Sequence, residues 1–421
     1  MHGFDDPSLV LNRTRIVERF LDYVRFDTQS DETSDTCPST AKQLELARRL
    51  VDELKELGLQ GVGEAEVTVD PNGYVLAELP GTAPGRVGLC AHMDTAPAFT
   101  GAGVSPQRVE DYDGGAIDVG HGVVLDPADN PELEDCVGDT IITTDGSTLL
   151  GADDKSGIAA IMGALEILVQ EPDIPRPTVR VCFNPDEEIG RGADRFPMER
   201  FDCPVAFTID GSFTGEVNVE TFSADKAVLT FTGVSVHPGT ARGKMVNALT
   251  WMGKLLDRLP MGEAPETTDG REGFYHPVTA SGDAAACTLQ MIVRDFDTEV
   301  LEERGRRLER MCAGLMAEEP DLDVKVEITK QYRNMYDVLS GHPEVAEKLE
   351  KAVKAAGIEP RLEPIRGGTD GSRLTELGMP TPNIFAGGVN FHGPSEWIST
   401  RVLAQSACTI LNLVQLFADD R

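Results

Sequence analysis

The chain reads as an α/β protein: a mixed sheet with helices on both faces, interrupted by a smaller α+β domain. Length is the first reason, because 421 residues at 40% hydrophobic exceed the size at which single cores stop growing, about 250–300 residues. The second is that apolar runs of strand length alternate with runs at helical spacing along most of the chain, as strand–helix units do. The third is a change of texture over residues 219–334, where alternating strands and charged helices replace strands that end in acidic or histidine-bearing turns.

Residues 14–24 and 39–57 carry apolar side chains at helical intervals, the second as Leu44, Ala47, Leu50, Val51, Leu54 and Leu57, closing at Gly58. A strand is expected over 66–69, then the turn Asp70-Pro71-Asn72-Gly73 and a strand over 74–79 that Pro80-Gly81 ends. Residues 86–91 form an apolar strand with His92-Met93-Asp94 at its C-terminal end. Between 95 and 147 Gly, Asp and Pro dominate. A structureless loop of that length is unusual in a compact domain, so short strands are expected in it, with apolar pieces at 122–125 and 140–143. The turn Gly151-Ala152-Asp153-Asp154-Lys155-Ser156-Gly157 then enters a helix over 158–169, where free backbone N–H groups and the helix dipole favour carboxylates. A strand over 178–183 runs into Asn184-Pro185-Asp186-Glu187-Glu188, and the apolar run 205–209 ends at Asp210-Gly211.

The inserted domain, 219–334, reads as a strand over 226–233, a helix over 247–259, a strand over 288–294, a charged helix over 297–318 and a strand over 323–329. The outer domain, 1–218 with 335–421, resumes as a helix over 343–356, a turn at 366–371, a strand over 382–386, His392 and a final helix over 400–417.

Composition removes several function classes. With 71 acidic against 38 basic residues and a net charge of -33, the chain has no basic run to meet a phosphate backbone, which excludes a nucleic-acid partner. The first residues lack a basic stretch leading into an apolar one, and no window approaches 18 uninterrupted apolar residues, so no membrane partner and a cytoplasmic location are expected. The eight cysteines form no Cys-x-x-Cys pair and several lie in apolar runs, the pattern of buried free thiols.

The polar residues that end the apolar strands form a constellation: His92, Asp94, Asp153, Glu187, Glu188, Asp210 and His392. In open α/β sheets ligands bind outside the carboxyl ends of the strands. A two-metal hydrolase site needs about three protein ligands per ion. One bridging carboxylate reduces the need to five residues: Asp153 as bridge, His92 with Asp210 on one ion, Glu188 with His392 on the other. Asp94 shares a face with His92 and is placed to accept the second imidazole N–H. Glu187 diverges from Glu188 and is left as general base for a metal-bridging water. Mixed histidine and carboxylate ligation points to two zinc ions, with cobalt or manganese as alternatives.

These segments, together with Val236-His237-Pro238-Gly239, Gly273-Phe274-Tyr275-His276, Ile292-Val293-Arg294-Asp295, Pro364-Ile365-Arg366-Gly367-Gly368-Thr369-Asp370 and Asn390-Phe391-His392-Gly393, resemble the dinuclear-zinc M20 metallopeptidases. Within that family they resemble the members that remove the N-terminal residue from tripeptides. The resemblance implies a catalytic domain interrupted by a lid or dimerisation-type domain, a short-peptide substrate, and His237 as a lid histidine that stabilises the oxyanion. It also implies Asn247, Arg294 and Arg366 as substrate-binding residues. Whether His237 serves its own subunit or that of a homodimer partner is open at this stage. The alternative is a dipeptidase or N-acyl-amino-acid deacylase of the same family, against which the long interval from Asp94 to Asp153 argues.

Overall fold

The computed structural model describes residues 3–63 and 65–418. The chain divides into two compact units, the first made of Met1–Val219, Val338–Glu363 and Thr369–Arg421, the second of Glu220–Asp337 and Pro364–Gly368. The turn expected over 366–371 is divided, its first three residues belonging with Pro364 and Ile365 to the second unit, where this segment pairs through its backbone. Ile365 N donates to Glu220 O at 2.9 Å and Phe222 N to Ile365 O at 3.1 Å.

The first unit is built on a seven-stranded sheet in the order Val75–Leu79, Thr178–Asn184, Arg86–His92, Ala206–Gly211, Asn383–Phe385, Glu216–Asn218, Arg361–Leu362. The four strands from Thr178–Asn184 to Asn383–Phe385 are mutually parallel, and antiparallel neighbours flank them, so the sheet is mixed. Both faces are buried, as parallel strands require. Alternate residues of Arg86–His92 show it: Val87, Leu89 and Ala91 enter the main core, whereas Cys90 enters a smaller one with Phe196, Phe201, Leu374 and Met379. The main core is closed by the helices Ile16–Tyr23, Ala152–Gln170, Pro343–Ala355 and Thr400–Ala418. Thr400–Ala418 is long and apolar enough to cross a membrane, but most of it is buried in this core.

Two short helices have no sequence signal because neither is long enough to show a 3.6-residue period. Pro7–Arg13 is capped by Asp6, which accepts from Ser8 N, and Asp370–Glu376 is capped by Thr369, which accepts from Gly371 N. The strand expected over 66–69 is only a bridge between Val69 and Val75. The Gly- and Asp-rich stretch holds four short strands, Gln107–Val109, Ile117–Gly120, Val123–Leu125 and Ile141–Thr143. All eight cysteines are free, six of them buried.

The second unit is a four-stranded antiparallel sheet in the order Phe274–Gly282, Ala286–Asp295, Ser223–Thr232, Asp323–Tyr332. Ala227, Leu229, Phe231, Leu289, Met291 and Val293 pack on Trp251, Met252 and Leu255 of Ala248–Arg258 and on Leu301, Leu308 and Leu315 of Thr298–Glu318. Phe274–Gly282 is an edge strand absent from the sequence reading. Its residues from Pro277 onward are exposed and include Pro277 and Gly282, which erase the alternation that marks a half-buried strand.

Candidate metal centre

His92, Glu187, Glu188, Asp210 and His392 stand at or just after the ends of strands of the first unit. His92 is the last residue of Arg86–His92, Glu187 and Glu188 follow Thr178–Asn184, Asp210 lies in Ala206–Gly211, and His392 follows Asn383–Phe385 and Gly388–Val389. These parallel strands end on one edge of the sheet, so their terminal side chains converge.

The convergence centres on Asp153. Its Oδ1 lies 2.9 Å from His92 Nε2 and its Oδ2 lies 3.1 Å from His392 Nε2. Asp210 Oδ1 is 3.3 Å from His92 Nε2, and Glu188 Oε2 is 3.0 Å from His392 Nε2. Two groups result, His92–Asp153–Asp210 and Asp153–Glu188–His392, each with its ligand atoms within 4.8 Å of one another. Asp153 belongs to both. The local backbone explains why it is free to do so. Asp153 and Asp154 have non-helical φ/ψ at the start of Ala152–Gln170, and Asp154 takes the capping work, accepting from Gly157 N at 3.1 Å and from His92 N at 3.2 Å.

The electrostatics fit a cation site. Burial, joined by the charge of Asp153, pushes Glu188 up to about 8, and burial pushes Asp210 up to about 6. Burial also raises Asp153, but the hydrogen bonds from His392 and His92 outweigh it and hold its carboxyl below the usual range. His392 rises to about 11 through its bonds to Asp153 and Glu188. Acids crowded this way are kept ionised by positive charge placed among them. Glu188 Oε1 is buried and has no hydrogen-bond partner among the described residues. An orphaned buried acceptor is what a cation satisfies, so these residues fit a two-metal site.

Glu187 is half-buried, and desolvation followed by the charge of Asp210 lifts its pKa well above the carboxylate range. Asp94 has a wider role than its spacing suggests. The nearest acceptor for His92 Nδ1 is the main-chain oxygen of Asp94 at 3.1 Å, with the carboxylate at 3.4 Å. That carboxylate instead accepts from Glu187 N at 3.0 Å and Glu188 N at 3.2 Å. It therefore holds the turn that presents both the candidate base and a candidate ligand. The preceding Asp186 anchors the same turn from outside, accepting from Ser39 N, Ser39 Oγ and Gln43 Nε2 at 2.7, 2.5 and 2.7 Å.

His237, Asn247, Arg294 and Arg366 all lie in the second unit. His237 is exposed, and its Nδ1 accepts from Gly239 N at 3.1 Å, which assigns the proton to an outward Nε2. Asn247 Oδ1 caps Ala248–Arg258 by accepting from Leu249 N and Thr250 N. Arg294 forms no ion pair with Asp295 or Asp297: Asp295 pairs with Arg304, and Asp297 caps Thr298–Glu318. Its guanidinium donates to Gln331 Oε1 at 2.9 Å and lies over the Tyr332 ring. Arg366 donates to the carbonyls of Thr268, Gly270 and Glu272 and lies over Phe222 and Phe274, so its head group holds the 268–272 loop.

Two buried acids near the centre have no role in the sequence reading. Asp370 accepts from Asn184 Nδ2 at 2.5 Å, and burial pushes it up to about 7. Glu396 is 1% exposed and accepts from the backbone N–H groups of Leu150, Gly151 and Asp153. The only hint was compositional: Glu396 is an acid set directly before the apolar Trp397–Ser399 strand.

The model of peptidase family M20/M25/M40 matches residues 144–416. A protein named peptidase T from Geobacillus thermodenitrificans is 47% identical over 410 residues, covering 96% of this chain and 98% of that protein. A tripeptidase structure from Staphylococcus aureus aligns with a TM-score of 0.74 at 20% identity, covering 99% of this chain and 100% of that one. The aminopeptidase PepT structure from Bacillus cereus aligns with a TM-score of 0.73 at 22% identity, covering 98% and 99%; these two likenesses carry the fold. With the family model spanning most of the chain and the curated relative nearly all of it, the chain belongs to the M20/M25/M40 family of peptidases.

Proposed function

We propose that this chain is a tripeptide aminopeptidase with a two-metal centre in which Glu187 is the general base. The observation that carries the reading is the sharing of Asp153 between two ligand groups, with Glu187 directly beside the ligand Glu188. His92, Asp153 and Asp210 would hold one cation, and Asp153, Glu188 and His392 the other. Bound there, the cations would acidify a water and polarise the scissile carbonyl. The donor set suits zinc, with cobalt and manganese as substitutes.

The chain's own residues supply the rest. A carboxylate whose proton affinity is raised by burial is a stronger base near neutral pH, so Glu187 takes a proton from the attacking water and passes it to the leaving amine. Asp94 fixes the turn that aims Glu187. His237, which resembles the family's lid histidine, would supply its Nε2–H as a donor to the oxyanion. Arg294, with no carboxylate partner among the described residues, is available to grip a peptide carboxylate. Asn247 contacts the peptide with its amide N–H groups, and Arg366 acts through the loop it holds. The name peptidase T borne by a relative that is 47% identical over 96% of this chain supports the substrate class. The same reading places the enzyme in the cytoplasm, and sedimentation distinguishes a monomer from a homodimer.

The test is release of the N-terminal amino acid from a dipeptide, a tripeptide, a tetrapeptide and an N-acetylated tripeptide, each with and without chelator. Chelator-sensitive release from the free tripeptide alone is expected. Preference for the dipeptide or the acetylated substrate would overturn the substrate class while keeping the metal chemistry, and inactivity on all four would overturn the enzyme reading.

A further inference from the structure

Glu396 gathers three main-chain donors of one loop. Its Oε2 accepts from Leu150 N at 2.7 Å and Gly151 N at 2.8 Å, and its Oε1 accepts from Asp153 N at 3.0 Å. Gly151 sits at φ 82°, and Asp153 follows with non-helical φ/ψ, so helix formation alone does not fix the bridging residue. Glu396 also closes the loop that bears His392. Its N–H donates to Gly393 O at 3.3 Å, and Asn390 Nδ2 donates to Ser395 O at 3.2 Å and to Asn130 Oδ1 at 2.7 Å. Within that loop Asn390 and His392 adopt φ of 58° and 65°, a left-handed conformation that costs a side-chain-bearing residue about 1–2 kcal/mol and persists where neighbours enforce it.

We propose that Glu396 is a positioning residue that sets the spacing between Asp153 and His392, and so the affinity of the metal site formed by Asp153, Glu188 and His392. The inference rests on the two-metal reading. That site draws two of its three ligands from the loops Glu396 joins. The site formed by His92, Asp153 and Asp210 draws one, because His92 and Asp210 stand on strands. Loss of the carboxylate therefore acts unequally on the two.

The amide of Glu396→Gln offers one acceptor oxygen and one NH2. Either orientation sets N–H against N–H, at Asp153 or at Leu150 and Gly151. The experiment is chelator-competition titration of the metal-stripped wild type and Glu396→Gln with Co2+, alongside thermal unfolding of the same stripped proteins. The wild type should bind two ions. The variant should hold one nearly as tightly and the other about 10–100-fold more weakly, the usual range for groups that orient ligands. Should the amide variant not fold, Glu396→Asp, whose shorter stem cannot span all three donors, carries the same expectation. A variant that loses thermal stability with both affinities unchanged, or with both reduced equally, overturns the proposal. A wild type that binds fewer than two ions instead overturns the two-metal reading beneath it.

Discussion

Replacing Asp94 with Asn keeps the size of the side chain and removes one acceptor. Asp94 is fully buried, and its two oxygens serve Glu187 N at 3.0 Å and Glu188 N at 3.2 Å, with His92 Nδ1 3.4 Å from Oδ1. An asparagine can satisfy only one of the two backbone donors, and its NH2 must face the other. A hydrogen bond to a charged group contributes about 1.5–3 kcal/mol, and 1.4 kcal/mol is tenfold. The expected loss in kcat/KM is therefore about 10–150-fold. The loss should divide in a particular way. Displacement of Glu188 weakens metal binding and is recovered by excess Zn2+, whereas displacement of Glu187 lowers kcat and is not. Steady-state hydrolysis of a tripeptide across a Zn2+ titration separates the two parts. A variant within twofold of wild type in both kcat and metal affinity would refute the role assigned to this carboxylate.

Glu187→Gln should retain its metal content, since Glu187 is not among the ligand groups, while kcat falls about 10²–10⁴-fold; an unchanged kcat would move the base elsewhere. Gly157→Ala would bring a Cβ to 1.9 Å from Ile209 O and 2.4 Å from Asp154 Oδ1. It should destabilise by at least about 1–3 kcal/mol in urea unfolding and weaken metal binding, because Ile209 precedes Asp210 and Asp154 follows Asp153. Asp370→Asn tests a buried titration in the chelated protein. Burial raises this carboxyl from 3.8 to about 7, so the native state binds more protons than the unfolded chain in that interval, and the wild type loses stability as pH rises through it. The amide does not titrate, so the variant should match wild type near pH 4 and exceed it above pH 7 by up to about 4 kcal/mol. Parallel stability profiles from pH 4 to 8 would contradict this.

The side chains of the centre were legible because strand ends advertise themselves. An apolar run that stops at His92, at Glu187-Glu188 or at Asp210 leaves a polar group where an α/β sheet gathers its ligands, and the rule needs no knowledge of which strands are neighbours. Contacts to the main chain leave no such trace. Asp94 was readable as a partner of His92 two residues away, but its bonds to the backbone of Glu187 and Glu188 arise because Thr178–Asn184 lies beside Arg86–His92 in the sheet. Glu396 reaches donors more than two hundred positions earlier, and a backbone N–H looks the same at every residue. The same limit explains the softer assignments in the second unit. Arg366 and Arg294 are indistinguishable as sequence, yet one is taken up by the carbonyls of a loop and the other has no carboxylate partner among the described residues. Chemistry carried by side-chain type is therefore visible in a single chain, while chemistry carried by satisfied backbone donors requires the fold. That places the residues most informative to mutate next, Asp94 and Glu396, among those whose principal bonds are to main-chain N–H groups.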